Sequence, residues 1–241
     1  MYKRMEGRLA SRTHAQDEYH PAGRLVPVFA STDMDGQIDL AISLGRKAAS
    51  FGETVLMLDC QDGAMMDKAG IVYNKTIHDV LHHDADLRDV TYITSNEHFT
   101  AASAGKADLD VALGSLAALS LSYDWVFVVP TPGCTPAHVR LAAASDVSLL
   151  AYDTAGDKFM RAYWMIDAVR KRDPKFDPVI LSMGSREDAV ETALMLTDTV
   201  REHLGAPPPY AGHAADEPQC QTMAERLITR MKKQSAQSKV A

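Results

Sequence analysis

A chain of 241 residues, 46% apolar and 24% charged, is long enough to bury a substantial core and fits one globular domain with tails. Its formal net charge of −7 makes the body a poor match for nucleic acid. Cys60, Cys134 and Cys220 show neither CxxC spacing nor a disulfide framework. No apolar run approaches the ~20 residues that span a bilayer, and the N-terminus lacks an apolar signal core, so the expected place is the cytoplasm.

Residues 1–23 are polar and without regular period, which predicts a flexible leader. Leu25–Ala30 is a buried-strand run, followed by a loop, STDMDG, a helical stretch Gln37–Phe51 and a second apolar strand within Glu53–Gly63. Short helices are predicted at Thr76–Leu81 and Leu87–Val90, a short strand at Thr91–Thr94, and a loop over residues 95–105. Asp108–Leu121 has helical spacing, and Trp125–Val129 reads as a central strand stopped by Pro130 and Pro132. Thr135–Ala144 is predicted as a helix with Pro136 in its first turn. Then come a strand Val147–Tyr152, a helix Lys158–Arg172, a strand Pro178–Ser182 and a long amphipathic helix Arg186–Leu204 ended by Gly205. Pro207–Pro209 and Pro218 mark a linker before a last helix, Gln219–Lys233. Alternating strands and helices predict an α/β fold with a doubly wound, mostly parallel sheet, spanning residues 24–217 with a tail at 218–241.

In such sheets ligands sit beyond the carboxyl ends of the strands, where Ser31–Gly36 and Asp59–Gly63 lie. The first strand–loop–helix has the layout of a nucleotide-binding unit without its phosphate chemistry. A working P-loop needs glycines for close backbone approach, a lysine for the β- and γ-phosphates and a Ser/Thr for Mg²⁺. This loop offers Gly36 and then Gln37 and Ile38.

Four segments in order resemble the MinD/ParA group of P-loop ATPases, most of all its flagellar FlhG branch. They are FGETVLMLDCQDG with its Gly52-to-Asp59 spacing, TIHDVLHHDADLRDV, YDWVFVVPTPG, and SREDAVETALMLTDTVREHLG before PYAGHAADEP. The resemblance covers residues 25–217 and implies the P-loop NTPase fold. Laid without gaps, the family's KGGxGKT falls on Thr32, Asp33, Met34, Asp35, Gly36, Gln37 and Ile38. The resemblance therefore puts Thr32 at the signature lysine, Gln37 at the phosphate lysine and Ile38 at the metal-binding Thr. The water-activating Asp falls on Gln61, the strand-end carboxylate on Val129, and the adenine-side Asn on Leu181 or Ser182. Gly36, Asp59 and Gly133 survive from the pattern.

Each like charge ~5 Å from a polyphosphate costs about 3 kcal/mol at an effective dielectric of ~20. Asp33 and Asp35 introduce such charges and the two lysines are missing. A swing of ~6 kcal/mol is roughly 10⁴-fold in affinity. ATP and Mg²⁺ binding is expected to be weak or absent, with no hydrolysis. The loop also reads as an ordinary tight βα turn of another lineage, and Asp33, Asp35, Asp59 and Asp62 as a divalent-cation cluster. A helix cap by Asp35 is the plainer reading of that carboxylate.

Outside the loop, His78, His82 and His83 include a pair spaced as metal ligands, without a third positioned by sequence. Cys134 near a helix start, four residues before His138, suggests a Cys–His nucleophile with no orienting third residue. In the tail, Met223, Leu227, Ile228 and Met231 share one helical face, with Arg226, Arg230, Lys232 and Lys233 on the others. Two readings stand: a membrane- or partner-binding amphipathic helix, as ends MinD and FlhG proteins, and a helix docked on the domain.

In this family ATP closes a dimer that recruits partners and membrane. The resemblance then implies a catalytically inactive regulator or scaffold acting through protein partners, flagellar or polar factors, with a homodimer open. No nucleic-acid partner is expected, and peripheral contact with the inner membrane or cell pole goes with the first of the two readings of the tail. The family's N-terminal DQAxxLR activator pattern is not evident in residues 1–23. The alternatives are a divergent active ATPase, with Arg46 or Lys47 replacing the lost cation, and a positioning factor for pilus or cellulose-secretion machinery.

Overall fold

The computed structural model describes residues 23–32, 35–83, 85–93, 98–105 and 109–238. Residues 1–22, all but the last residue of the expected leader 1–23, and Asp33 lie outside the described residues. Eight strands form one sheet: β1 (Arg24–Ala30), β2 (Val55–Cys60), β3 (Tyr92–Ile93), β4 (Thr100–Ser103), β5 (Trp125–Pro130), β6 (Leu149–Asp153), β7 (Val179–Met183) and β8 (Tyr210–Ala214). The helices are α1 (Asp35–Ser50), α2 (Ala64–Lys68), α3 (Ile77–His82), α4 (Leu109–Ser120), α5 (Pro136–Ala144), α6 (Phe159–Arg170), α7 (Arg186–Leu204) and α8 (Glu217–Ser238). The strand order is β3-β4-β2-β5-β1-β6-β7-β8, parallel except for the edge strand β3. The doubly wound α/β expectation is therefore met.

Strand residues alternate between two apolar layers. Leu25, Phe29, Leu56, Leu58, Val126 and Val128 face one layer, packed by α3 through α7. Val26, Val28, Val55, Met57, Phe127 and Val129 face the other, packed by α1, α2 and α8. Proline in a central strand normally forfeits a ladder bond. Pro27 sits where β1 ends its register with β5 and takes up β6 at Val28, which accommodates the missing N–H.

Two strands depart from expectation. Residues 100–103, read as loop, form β4, paired with β2 from Leu56↔Thr100 to Asp59↔Ser103. Ala101 and Ala102 are fully buried there, so position between β2 and β3 overrides their low strand propensity. Tyr210–Ala214, inside the predicted linker, forms β8 on β7. The first helix begins at Asp35, so this carboxylate is in the opening turn, where the helix dipole favours it.

The tail helix α8 is docked. Met223, Leu227, Ile228 and Met231 are buried in the same apolar layer as α1. Lys47 pairs with Glu225 at 3.0 Å and Arg46 with Glu217 at 3.1 Å, while Lys232 reaches Glu53 and the Phe51 ring. Arg226 and Arg230 stay exposed. Of the two readings of the tail, the structure has the docked one, because burying four apolar side chains on α1 outweighs leaving them in water. Among the described residues no helix is long and apolar enough to cross a membrane.

Candidate functional site

The loop after β1, the turn after β2 and the turn after β5 meet at the carboxyl rim of the sheet. At its centre, Gln37 is 1% exposed and points inward from the first turn of α1. Its Nε2 donates to the Val28 carbonyl at 2.6 Å and the Pro130 carbonyl at 3.0 Å. Two carbonyls require a donor, which fixes the amide orientation and leaves Oε1 to accept. That oxygen accepts from Gln61 Nε2 at 2.7 Å, and the same nitrogen donates to Pro130 at 2.8 Å. Two neutral amides thus tie β1, α1, the β2 turn and β5 together.

Asp59 is fully buried. Its Oδ1 accepts from the Gln61 N–H at 2.7 Å, and its Oδ2 from the N–H groups of Met65 at 2.9 Å and Met66 at 3.0 Å. Burial pushes its pKa above the ordinary carboxylate range, and these backbone donors, with that of Gly63, pull the other way. Its carboxylate is committed to starting α2. Opposite it in the ladder stands Val129, fully buried, whose side chain carries no oxygen.

Gly36 has space on one side only: a Cβ there would meet Met183 Cε at 2.5 Å. Gly133 has φ 125° and donates its N–H to the Ala30 carbonyl at 3.1 Å, tying the β5 turn to the end of β1. Ser31 and Thr32 have buried hydroxyl oxygens without a hydrogen-bond partner. Ile38 is buried in the α1 layer and directs no oxygen to the rim. Leu181 is buried, and the Ser182 hydroxyl is 2.6 Å from the Tyr210 hydroxyl.

The rim therefore gathers Thr32, Gly36, Gln37, Asp59, Gln61, Val129 and Gly133, while Asp33 lies outside the described residues. Sequence reasoning missed the Pro130 carbonyl and Met183. Proline after a strand was visible, but not that its oxygen would accept two amides. Arg46 and Lys47, proposed as replacement cations, turn instead to Glu217 and Glu225 on α8.

The architecture now decides the fold comparison. The chain has the MinD/ParA-type P-loop NTPase fold. MinD of Aquifex aeolicus in its complex with MinC superposes with a TM-score of 0.63 at 16% identity, over 85% of this chain and 86% of that one. A plasmid partition protein from Borrelia burgdorferi gives 0.61 at 14% identity, over 87% of this chain and 100% of that one. A ParA family ATPase from Chlorobium tepidum gives 0.58 at 15% identity, over 84% and 89%. No family model matches the sequence, and no curated protein matches it either.

The other candidates separate. His138 is buried, its Nε2–H donating to the Thr131 carbonyl at 2.7 Å and its Nδ1 meeting the Thr135 hydroxyl at 2.8 Å and N–H at 3.2 Å. Those partners make it a capping residue of α5 rather than a base for Cys134. Desolvation raises the Cys134 pKa, opposite to what a nucleophile needs, and burial pushes Cys220 up to about 12. The rings of His78 and His82 are 4.4 Å apart and those of His78 and His83 5.9 Å. Among the described residues no group of three His, Cys, Asp or Glu is arranged to hold a metal ion.

Proposed function

We propose that this chain is a MinD/ParA-type protein that keeps the fold, has lost the ATP switch and works as a non-enzymatic regulator through protein partners. One observation carries the reading: the Gln37 amide fills the phosphate-lysine position and spends its hydrogen bonds on Val28, Pro130 and Gln61. Replacing a cation by a saturated neutral amide removes attraction for polyphosphate without leaving a donor free. Val129 and Ile38 offer no metal ligand, and Asp59 is engaged by α2. Loss of the signature lysine at Thr32 means that nucleotide does not clamp two copies together.

Titration calorimetry of the full chain with Mg-ATP tests this. We expect no binding tighter than about 1 mM, from the ~10⁴-fold loss reckoned above. Micromolar binding would overturn the reading in favour of a divergent ATPase, for which Arg46 and Lys47, held by α8, give no support.

The finer assignment is to the FlhG branch, in flagellar number or placement, and it is supported by the ending Ser185–Gly205 before PYAGHAADEP. A MinD neighbour seen with MinC makes a protein partner the natural ligand class. Deleting the gene and counting flagella tests the branch. Normal flagella with altered pili or cellulose would move the protein to those machineries. Because the apolar side of α8 is docked, removing residues 219–241 should leave vesicle co-sedimentation unchanged.

A further inference from the structure

Three histidines gather at the end of α3. His78 and His82 stand four positions apart, close to one helical turn, so both rings project from the same side. Their ring centroids are 4.4 Å apart. His83, the residue that ends the helix, has its ring 5.9 Å from that of His78. Two imidazoles sharing one tetrahedral ion, each nitrogen at about 2.1 Å, place their centroids about 5 Å apart. The observed spacings straddle that value.

The rings are free to act as ligands. Among the described residues their nitrogens make no hydrogen bond to protein, and His82 and His83 are exposed. The one carboxylate between them is committed elsewhere. Asp79 Oδ2 accepts from the Thr76 N–H at 2.7 Å and the Thr76 hydroxyl at 3.0 Å, closing the capping box that starts α3. Its negative charge still acts on His78 and His83, which favours a cation beside them.

The helix would gain from such an ion. α3 has six residues, too short to be stable in isolation. Its first turn is fixed by the capping box and by Ile77, which is buried. A bridge from residue 78 to residue 82 would close the last turn as well.

We propose that His78 and His82 bind one divalent transition-metal ion of the zinc class. Neutral imidazole suits that class, whereas Mg²⁺ and Ca²⁺ take oxygen ligands. Two protein ligands leave the other positions to water, which makes the ion exchangeable, unlike one held in a closed four-ligand structural site. The site does not depend on whether the rim binds nucleotide.

Calorimetric titration of the metal-stripped full chain with zinc chloride tests it. Saturable uptake at this pair is expected. His78→Ala and His82→Ala should each weaken it by at least about tenfold, since losing a group that merely supports a ligand already costs that much. Cys134→Ser should leave it unchanged, which separates the pair from the exposed thiol. Zinc should also slow amide exchange over residues 77–82 in the unaltered chain and not in His82→Ala. Circular dichroism verifies that each variant folds. No uptake at millimolar zinc overturns the proposal, as does uptake that survives either histidine substitution or is lost in Cys134→Ser. Uptake that leaves exchange at 77–82 unchanged overturns it too.

Discussion

Helices α7 and α8 lie on opposite faces of the sheet, and both read as amphipathic from sequence. In α8 the apolar set Met223, Leu227, Ile228 and Met231 is 0–5% exposed, covered by α1. In α7 one apolar set is covered by the sheet and a second, Val190, Leu194 and Met195, faces water. A periodic pattern announces that an apolar face exists; it does not say what covers it. The tail, left by the sequence between two readings, is docked, while α7 carries exposed apolar side chains on the side away from the core.

Substitution can break this contrast. The largest effect belongs to Ile228→Asp, which buries a carboxylate in the α1–α8 layer and should cost about 4 kcal/mol in urea denaturation. A loss under about 1 kcal/mol would mean that α8 is undocked in solution. Met223→Ala leaves a cavity against α1 and the β8 strand and should cost about 2–3 kcal/mol, with the urea slope unchanged. Lys47→Ala removes the pair with Glu225, a partly exposed contact at 3.0 Å, and should cost no more than about 1 kcal/mol. Smallest of all, Leu194→Asp on the outer side of α7 should stay within about 0.5 kcal/mol of the unaltered chain. If it destabilised as much as Met223→Ala, the outer face of α7 would already be covered within the folded chain.

The strands with continuous apolar runs were legible because burial on both faces demands such runs: Leu25–Ala30 and Trp125–Pro130 are the clearest. β4 was illegible because Thr100–Ser103 carries no bulky side chain; its neighbours β2 and β3 define it. β8 was hidden behind three prolines that end just before Tyr210. At the rim, the side-chain types of Gln37, Ile38, Gln61 and Val129 were legible in the sequence. Where the Gln37 amide turns was not readable, since its partner Pro130 is 93 positions away. The tail's periodicity was read correctly as a helix, but its cover is α1, a partner that periodicity does not name.

Gln37 and Gln61 stand 24 positions apart, yet each completes the other's hydrogen bonding. Removing Gln61 alone strands the buried Oε1 of Gln37, whereas removing Gln37 leaves Gln61 Nε2 its bond to the Pro130 carbonyl. A lysine placed at 37 would meet Gln61 Nε2 donor to donor, so the Gln61 amide would have to turn its oxygen inward and give up Pro130. A scan of position 61 therefore reports on what Gln37 needs, and side chains that donate to its Oε1 should be accepted ahead of those that do not.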